Sequence, residues 1–184
     1  ADFGGEVERI LSMVDGVILL VDSAEGAMPQ TKFVTGKALA LGLRPIVVVN
    51  KIDRADARAQ EVLDEVFDLF VTLDASDEQL DFPVLFASGR NGYAGDNPEV
   101  REGTLRPLFE KIVGHVPPPA LDQDSPFSFL VTLLDRDNFL GRILTGRVQS
   151  GTVKLNQPIH ALDQEGKVIE TGRASKLMSF RGLE

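Results

Sequence analysis

Residues 44 to 53 read Arg-Pro-Ile-Val-Val-Val-Asn-Lys-Ile-Asp. Four β-branched residues in a row, Ile46 to Val49, leave no polar side chain to face water on either side of an extended chain. Such a run is a strand buried on both faces, as in the interior of a parallel sheet. It is entered through Pro45 and left through polar side chains. In open α/β sheets ligands sit just beyond the carboxyl ends of the strands, which is where Asn50, Lys51 and Asp53 stand. These three are therefore the first candidates for a binding site.

The stretches around this strand alternate in period. Val7, Ile10, Leu11 and Val14 follow helical spacing and predict a helix from about Gly5 to Val14. Gly16 to Asp22 is a short apolar run that predicts a second buried strand, followed by a polar loop, Ser23 to Thr31. Phe33, Val34, Lys37, Ala38 and Leu41 predict a helix that Gly42 caps. Beyond the central strand, Asp56 is placed to cap a helix whose stripe is Val62, Leu63, Val66, Phe67, Leu69 and Phe70. A polar segment, Asp74 to Asp81, leads to a third strand, Phe82 to Ser88. Residues 89 to 103 read as loop, and Leu105, Leu108, Phe109 and Ile112 mark a last helix. Alternation of this kind calls for right-handed crossovers and a parallel sheet.

Asn-Lys-x-Asp has a chemical reading. A fixed carboxylate accepts two parallel hydrogen bonds from the N1 and exocyclic N2 hydrogens of guanine, a pair that adenine does not offer. Asp53 would set base identity on this reading. The stem of Lys51 can lie along a face of the base with its ammonium in water, and the Asn50 amide can brace the loop and reach the base edge. Ser88-Gly89-Arg90 leaves the third strand at the same sheet edge, either as a second wall for the base, through backbone N–H groups, or as an ordinary loop start. No G-x-x-x-x-G-K-[ST] and no G-x-G-x-x-G occurs. The chain therefore offers no recognisable phosphate cradle, and a dinucleotide-dependent oxidoreductase is disfavoured. The D-x-x-G at Asp163 to Gly166 lies between segments of period two and reads as a hairpin turn.

Pro117-Pro118-Pro119 begins a stiff linker, residues 117 to 125, that no helix or sheet ladder can cross. It separates an α/β part, residues 1 to 116, from residues 126 to 184, where Phe127, Phe129, Val131, Leu133 and Ile143, Thr145, Arg147 alternate with their neighbours. Turn signals at Gln149-Ser150-Gly151 and Asp163 to Gly166 stand at hairpin spacing. A barrel-like second part is expected, incomplete at its end. The net charge of −9 divides unevenly: residues 1 to 125 carry −11 and residues 126 to 184 carry +2. Contact with nucleic acid would favour the second part, on a weak electrostatic footprint. Without cysteine, and with His115 and His160 far apart, a disulfide framework or a zinc site has no basis. No run reaches membrane-spanning length and no signal peptide is recognisable, so no membrane partner and a cytoplasmic location are expected.

Four stretches carry a resemblance: Ala1 to Arg9 (Ala-Asp-Phe-Gly-Gly-Glu-Val-Glu-Arg); Met28-Pro29-Gln30-Thr31; Asn50-Lys51-Ile52-Asp53-Arg54; and Phe67-Asp68-Leu69-Phe70 with Leu73 to Pro83. Together they resemble the BipA/TypA ribosome-associated GTPases, a branch of the translational GTPases that include elongation factors Tu and G. The resemblance runs through the proline linker into the β-rich part. It implies GTP and GDP as ligands, with Asn50, Lys51, Asp53, Ser88, Gly89 and Arg90 around the base, and the ribosome as partner. It also implies that the phosphate loop, the first switch and the catalytic histidine precede Ala1. Mg²⁺ is then expected in the intact protein, without ligands in this chain.

By the same resemblance the fold would be the last three strands of a GTPase sheet followed by part of a β-barrel like domain two of elongation factor Tu. The edge of strand 17 to 22 would be open to self-association. One position departs from the family pattern: Ser-Ala followed by Leu or Lys is usual where this chain has Ser88-Gly89-Arg90, which leaves Arg90 either stacked on the base or in solvent. The expectation is the guanine-recognition portion of a GTPase that acts on the ribosome, these 184 residues alone being inactive. The alternative is a non-catalytic module in which the α/β part is a scaffold and the β-rich part binds RNA or protein.

Overall fold

The computed structural model describes residues 4–120 and 122–180. The chain divides into two compact units, Ala1–Pro119 and Ala120–Glu184. The first begins with α1 (Gly4–Leu11), β1 (Val17–Asp22), α2 (Pro29–Ala40) and β2 (Pro45–Asn50). It continues with α3 (Ala59–Thr72), α4 (Asp77–Leu80), β3 (Val84–Ser88), β4 (Tyr93–Gly95) and α5 (Arg106–His115). Its sheet has the order β1-β2-β3-β4, with the first two pairings parallel and the last antiparallel.

Strand β2 is the centre, as its composition dictates. Ile46, Val47, Val48 and Val49 are all buried, and alternate residues enter two separate cores. Val47 and Val49 pack with Val21, Leu39, Phe86, Tyr93 and the buried stripe Val62, Val66 and Phe70 of α3. Ile46 and Val48 pack with Leu85, Ala87 and Ala94 beneath Leu105, Leu108 and Ile112 of the α5 segment. Full burial of a side chain of this size is worth about 2 kcal/mol, so the two faces hold the strand firmly in register. Register is what matters for the site: Asp22 lies opposite Asn50 and Asn50 opposite Ala87, so all three parallel strands end at one edge.

Several elements depart from the sequence reading. The sheet is mixed, because residues 89 to 103 are not all loop: Tyr93, Ala94 and Gly95 turn back as β4 against β3. Both Tyr93 and Ala94 are buried, which stabilises a strand too short to be visible as a period. Helix α1 stops at Leu11, short of Val14. Helix α2 starts at Pro29, which occupies its first turn where a missing N–H costs nothing, so the polar loop is shorter than expected. Its other end closes as expected. Gly42, at φ +75, donates its N–H to Leu39 O and Leu43 donates to Ala38 O, the paired bonds of a glycine-terminated helix.

Asp56 does not cap α3; the cap residue is Arg58, without a side-chain cap, while Asp56 binds the Arg54 guanidinium at 2.8 and 2.7 Å. Phe67, assigned to the α3 stripe from sequence, is half exposed. The segment Asp74 to Asp81 contains the one-turn helix α4, closed by a Ser76–Gln79 capping box. Among the described residues strand β1 has a sheet neighbour on one side only, and Ile18 and Leu20 on its second face are exposed.

The second unit holds β5 (Ser128–Asp137) paired with β6 (Gly141–Ser150), and β7 (Pro158–Leu162) paired with β8 (Val168–Arg173), all antiparallel. Among the described residues each pair is a separate two-stranded sheet, so the strand pairing is that of two hairpins. Asp163 to Gly166 is a turn, with Asp163 Oδ1 accepting from the N–H groups of Glu165 and Lys167 at 3.0 and 2.9 Å. Among the described residues no helix is long and apolar enough to cross a membrane.

Candidate functional site

The carboxyl edge of the sheet is built by the ends of β1, β2 and β3. Asn50 is the last residue of β2 and half-buried; its Oδ1 accepts the Gly89 N–H at 2.9 Å, which ties the loop after β2 to the turn after β3. Ser88 ends β3 and is fully buried. Its hydroxyl oxygen accepts the Asn91 N–H at 3.2 Å and its carbonyl accepts the Gly92 N–H at 2.8 Å. Residues 88 to 93 therefore form the tight turn of the β3–β4 hairpin, with Gly89 and Arg90 exposed at its tip. A Cβ built on Gly89 would lie 3.6 Å from Asn50 Oδ1, an ordinary contact, so alanine also fits there and the backbone donor is kept.

Lys51 adopts φ +64, a left-handed conformation rare outside glycine that costs about 1–2 kcal/mol unless neighbours hold it. Its neighbours do hold it. The buried Ser23 hydroxyl donates to Lys51 O at 2.9 Å, the Arg54 N–H donates to the same carbonyl at 3.1 Å, and the Ile52 N–H donates to Ala87 O at 3.2 Å. The reversal sends the Lys51 side chain to Asp22, with Nζ 2.6 Å from Asp22 Oδ2. Burial alone would raise the Asp22 carboxyl, but the Lys51 ammonium and the N–H groups of Ala24 and Glu25 outweigh it and draw the pKa down to about 2. Asp22 in turn holds Lys51 above its ordinary value.

Asp53 is half-buried, with Oδ1 turned away from solvent. A hydrogen bond from the Ser88 side chain is the main cause holding its carboxyl below the ordinary value, with burial opposing and the charges of Arg90 and Arg101 adding to the lowering. An ionised carboxylate at the end of a strand is able to accept ligand N–H groups as well. The six residues expected from sequence thus fall on two adjoining loops, and the structure joins them through the Asn50–Gly89 bond. Asp22 and Ser23 were not anticipated. The signal for them was available: strand 17 to 22 runs parallel to 45 to 50, so its last residue must arrive beside Asn50.

The site is an open shelf. A cavity of about 240 Å³ in the same unit is lined by Ala57 to Glu61, Pro98, Glu99 and Arg101, and touches the candidate loop only through Ile52. Its charges are mixed and Arg58 is already taken up by Glu65 and by the Ala24 carbonyl, so it does not compete as the ligand site. Among the described residues no cluster of three or more His, Asp or Glu could hold a metal ion.

Comparison with known proteins places this geometry in context. Residues 1–118 match the family model described as the elongation factor Tu GTP binding domain. The whole chain is 53% identical to the large ribosomal subunit assembly factor BipA of Haemophilus influenzae and 52% identical to that of Escherichia coli K12, in each case over 184 residues. The corresponding protein of Synechocystis is 53% identical over 183 residues. The chain spans about 30% of the length of these curated relatives.

Proposed function

From the premise that this chain belongs to the elongation factor Tu GTP-binding domain family, as a homologue of the BipA ribosome assembly factors, we propose that its sheet edge reads guanine. The family implies binding of a guanine nucleotide; the finer reading assigns the base to particular residues. Asp53 accepts the N1 and N2 hydrogens, the Lys51 stem covers one face, and Asn50 braces the loop and offers its amide nitrogen to the base edge. The Ser88-Gly89-Arg90 turn closes the other side with backbone N–H groups. The observation that carries this is the convergence of Asn50, Lys51, Asp53 and the 88–90 turn at one sheet edge, tied together by the bond from the Gly89 N–H to Asn50 Oδ1.

Bound nucleotide would supply the phosphoryl group for hydrolysis; the residues of this chain bind and orient the base. The whole protein is read as a GTPase that acts on the large ribosomal subunit, by kinship with the assembly factors it resembles.

The test is Asp53→Asn in the full-length gene product. An amide still accepts from N1–H but donates to the carbonyl that xanthine carries in place of the guanine amino group. Affinity for GDP should fall by a factor on the order of 100, and xanthosine diphosphate should become the better ligand. Unchanged base preference in a competition titration refutes the assignment.

A further inference from the structure

The Asp22–Lys51 pair is not explained by the requirements of the fold. Lys51 is gripped at both its main chain and its side chain by two consecutive residues, Asp22 at the end of β1 and Ser23 just after it. Ser23 donates to its carbonyl at 2.9 Å, and Asp22 meets its ammonium at 2.6 Å. Asp22 is itself fixed: Oδ1 accepts the Ala24 N–H at 2.8 Å and the Glu25 N–H at 3.3 Å, which directs Oδ2 at Lys51. A second cation stands near, but Arg54 is 3.7 Å from the same oxygen and its guanidinium is engaged by both oxygens of Asp56. Lys51 is thus the effective partner.

The exposures matter. The Asp22 side chain is 11% exposed and that of Lys51 is 54% exposed. A largely covered carboxylate, fixed by two backbone N–H groups, holds one end of a side chain whose length otherwise lies open. Four methylenes pinned at both ends form a strip of apolar surface at the rim of the shelf, which a free lysine would present for only part of the time. Freezing a rotamer-rich side chain before the ligand arrives removes an ordering cost from binding.

We propose that Asp22 is a positioning residue for the nucleobase, holding Lys51 so that its stem forms the floor on which the base stacks. This rests on the guanine-reading assignment above and extends it to a residue outside the loop that reads the base. Stacking does not read the base edge, so Asp22 governs affinity for guanine and xanthine nucleotides alike and leaves their ratio alone.

The experiment is a double-mutant cycle in the full-length gene product, titrating GDP and xanthosine diphosphate into Asp22→Asn, Lys51→Met and the double variant. Asn keeps the Oδ1 acceptor for Ala24 and Glu25, and Met keeps an apolar stem. Asp22→Asn should weaken GDP by about 2- to 5-fold, as expected for a half-exposed ion pair, with the GDP preference unchanged. In the Lys51→Met background the same change should cause no further loss, since the carboxylate has no ammonium left to hold.

Wild-type affinity in Asp22→Asn overturns the proposal, as does a loss that adds in full to that of Lys51→Met. Loss of the folded state in Asp22→Asn, seen by circular dichroism, also overturns it, because the carboxylate would then serve the fold. Failure here with a successful base switch at Asp53 leaves the guanine reading intact; failure of the base switch removes both.

Discussion

Asn50→Ala separates bracing from reading. Its Oδ1 makes one bond, 2.9 Å from the Gly89 N–H, and that bond is one of the side-chain links between the two loops of the site, beside the Ser88–Asp53 contact. It is a neutral hydrogen bond and Gly89 is exposed, so water can reach the freed N–H and no buried group is orphaned. The net loss is then about 1 kcal/mol, with no desolvation penalty added. If that energy holds the 88–90 turn in its binding position, the competent fraction falls by at most about fivefold and the apparent Kd for GDP rises by the same factor. Loss of the amide nitrogen adds to this.

Asn50→Asp keeps the acceptor but loses the donor and places a second carboxylate near Asp53. It should retain the turn and still bind GDP less well than wild type. Isothermal titration of both variants, with urea unfolding of each, is the assay. Wild-type GDP affinity in Asn50→Ala would refute the bracing role. So would a loss of unfolding free energy well above about 1 kcal/mol, because the bond would then be serving the core.

Two further outcomes follow from the packing. Gln79 is buried, donates from Nε2 to Leu39 O and Leu43 O at 3.0 and 2.9 Å, and accepts the Ser76 N–H at 3.0 Å, so it joins α4 to the end of α2. Leu39 O keeps a bond from Gly42, so Gln79→Ala should cost about 2 kcal/mol in urea unfolding; a loss under about 0.5 kcal/mol would mean the bridge is dispensable. For pH, Asp22 falls from 3.8 to about 2 on folding, and Asp53 and Asp56 are also lowered. A lowered carboxyl stabilises the fold above its unfolded value and loses that stabilisation as pH falls through the folded one. Unfolding free energy should therefore be level from about pH 5 to 7 and decline from about pH 4 toward pH 2, with a shallower decline in Asp22→Asn. A decline of equal steepness in wild type and variant would exclude Asp22 as a contributor.

The parts of the fold that repeat were legible in the sequence, and those that rest on single contacts were not. An unbroken apolar run and a 3.6-residue stripe are statements about many residues at once, so β2, β3, α3 and α5 could be placed to within a few positions. Strand β4 is three residues long and gains its stability from Tyr93 and Ala94 sinking into the cores below it, which no period records. Asp56 had the right chemistry for a helix cap at a plausible distance from the stripe. It was claimed by Arg54, two residues away, because a bidentate carboxylate–guanidinium contact competes well with a single N–H.

At the site the same division has a functional side. Asn50, Lys51 and Asp53 were found because they are contiguous and follow a strand, yet contiguity says nothing about what orients them. Lys51 is shaped by Ser23 and Asp22, which lie 28 and 29 residues earlier and reach it only because β1 and β2 are parallel and in register. A slip of one residue in that pairing would turn Asp22 to the opposite face of the sheet and release the lysine. The apolar cores that fix register thus fix the lysine as well, and substitutions at buried positions of β1 such as Val21 should reach the base through Asp22 as well as the fold. Affinity for the nucleotide is in this sense set partly by how well two strands pack, at residues that never approach the ligand.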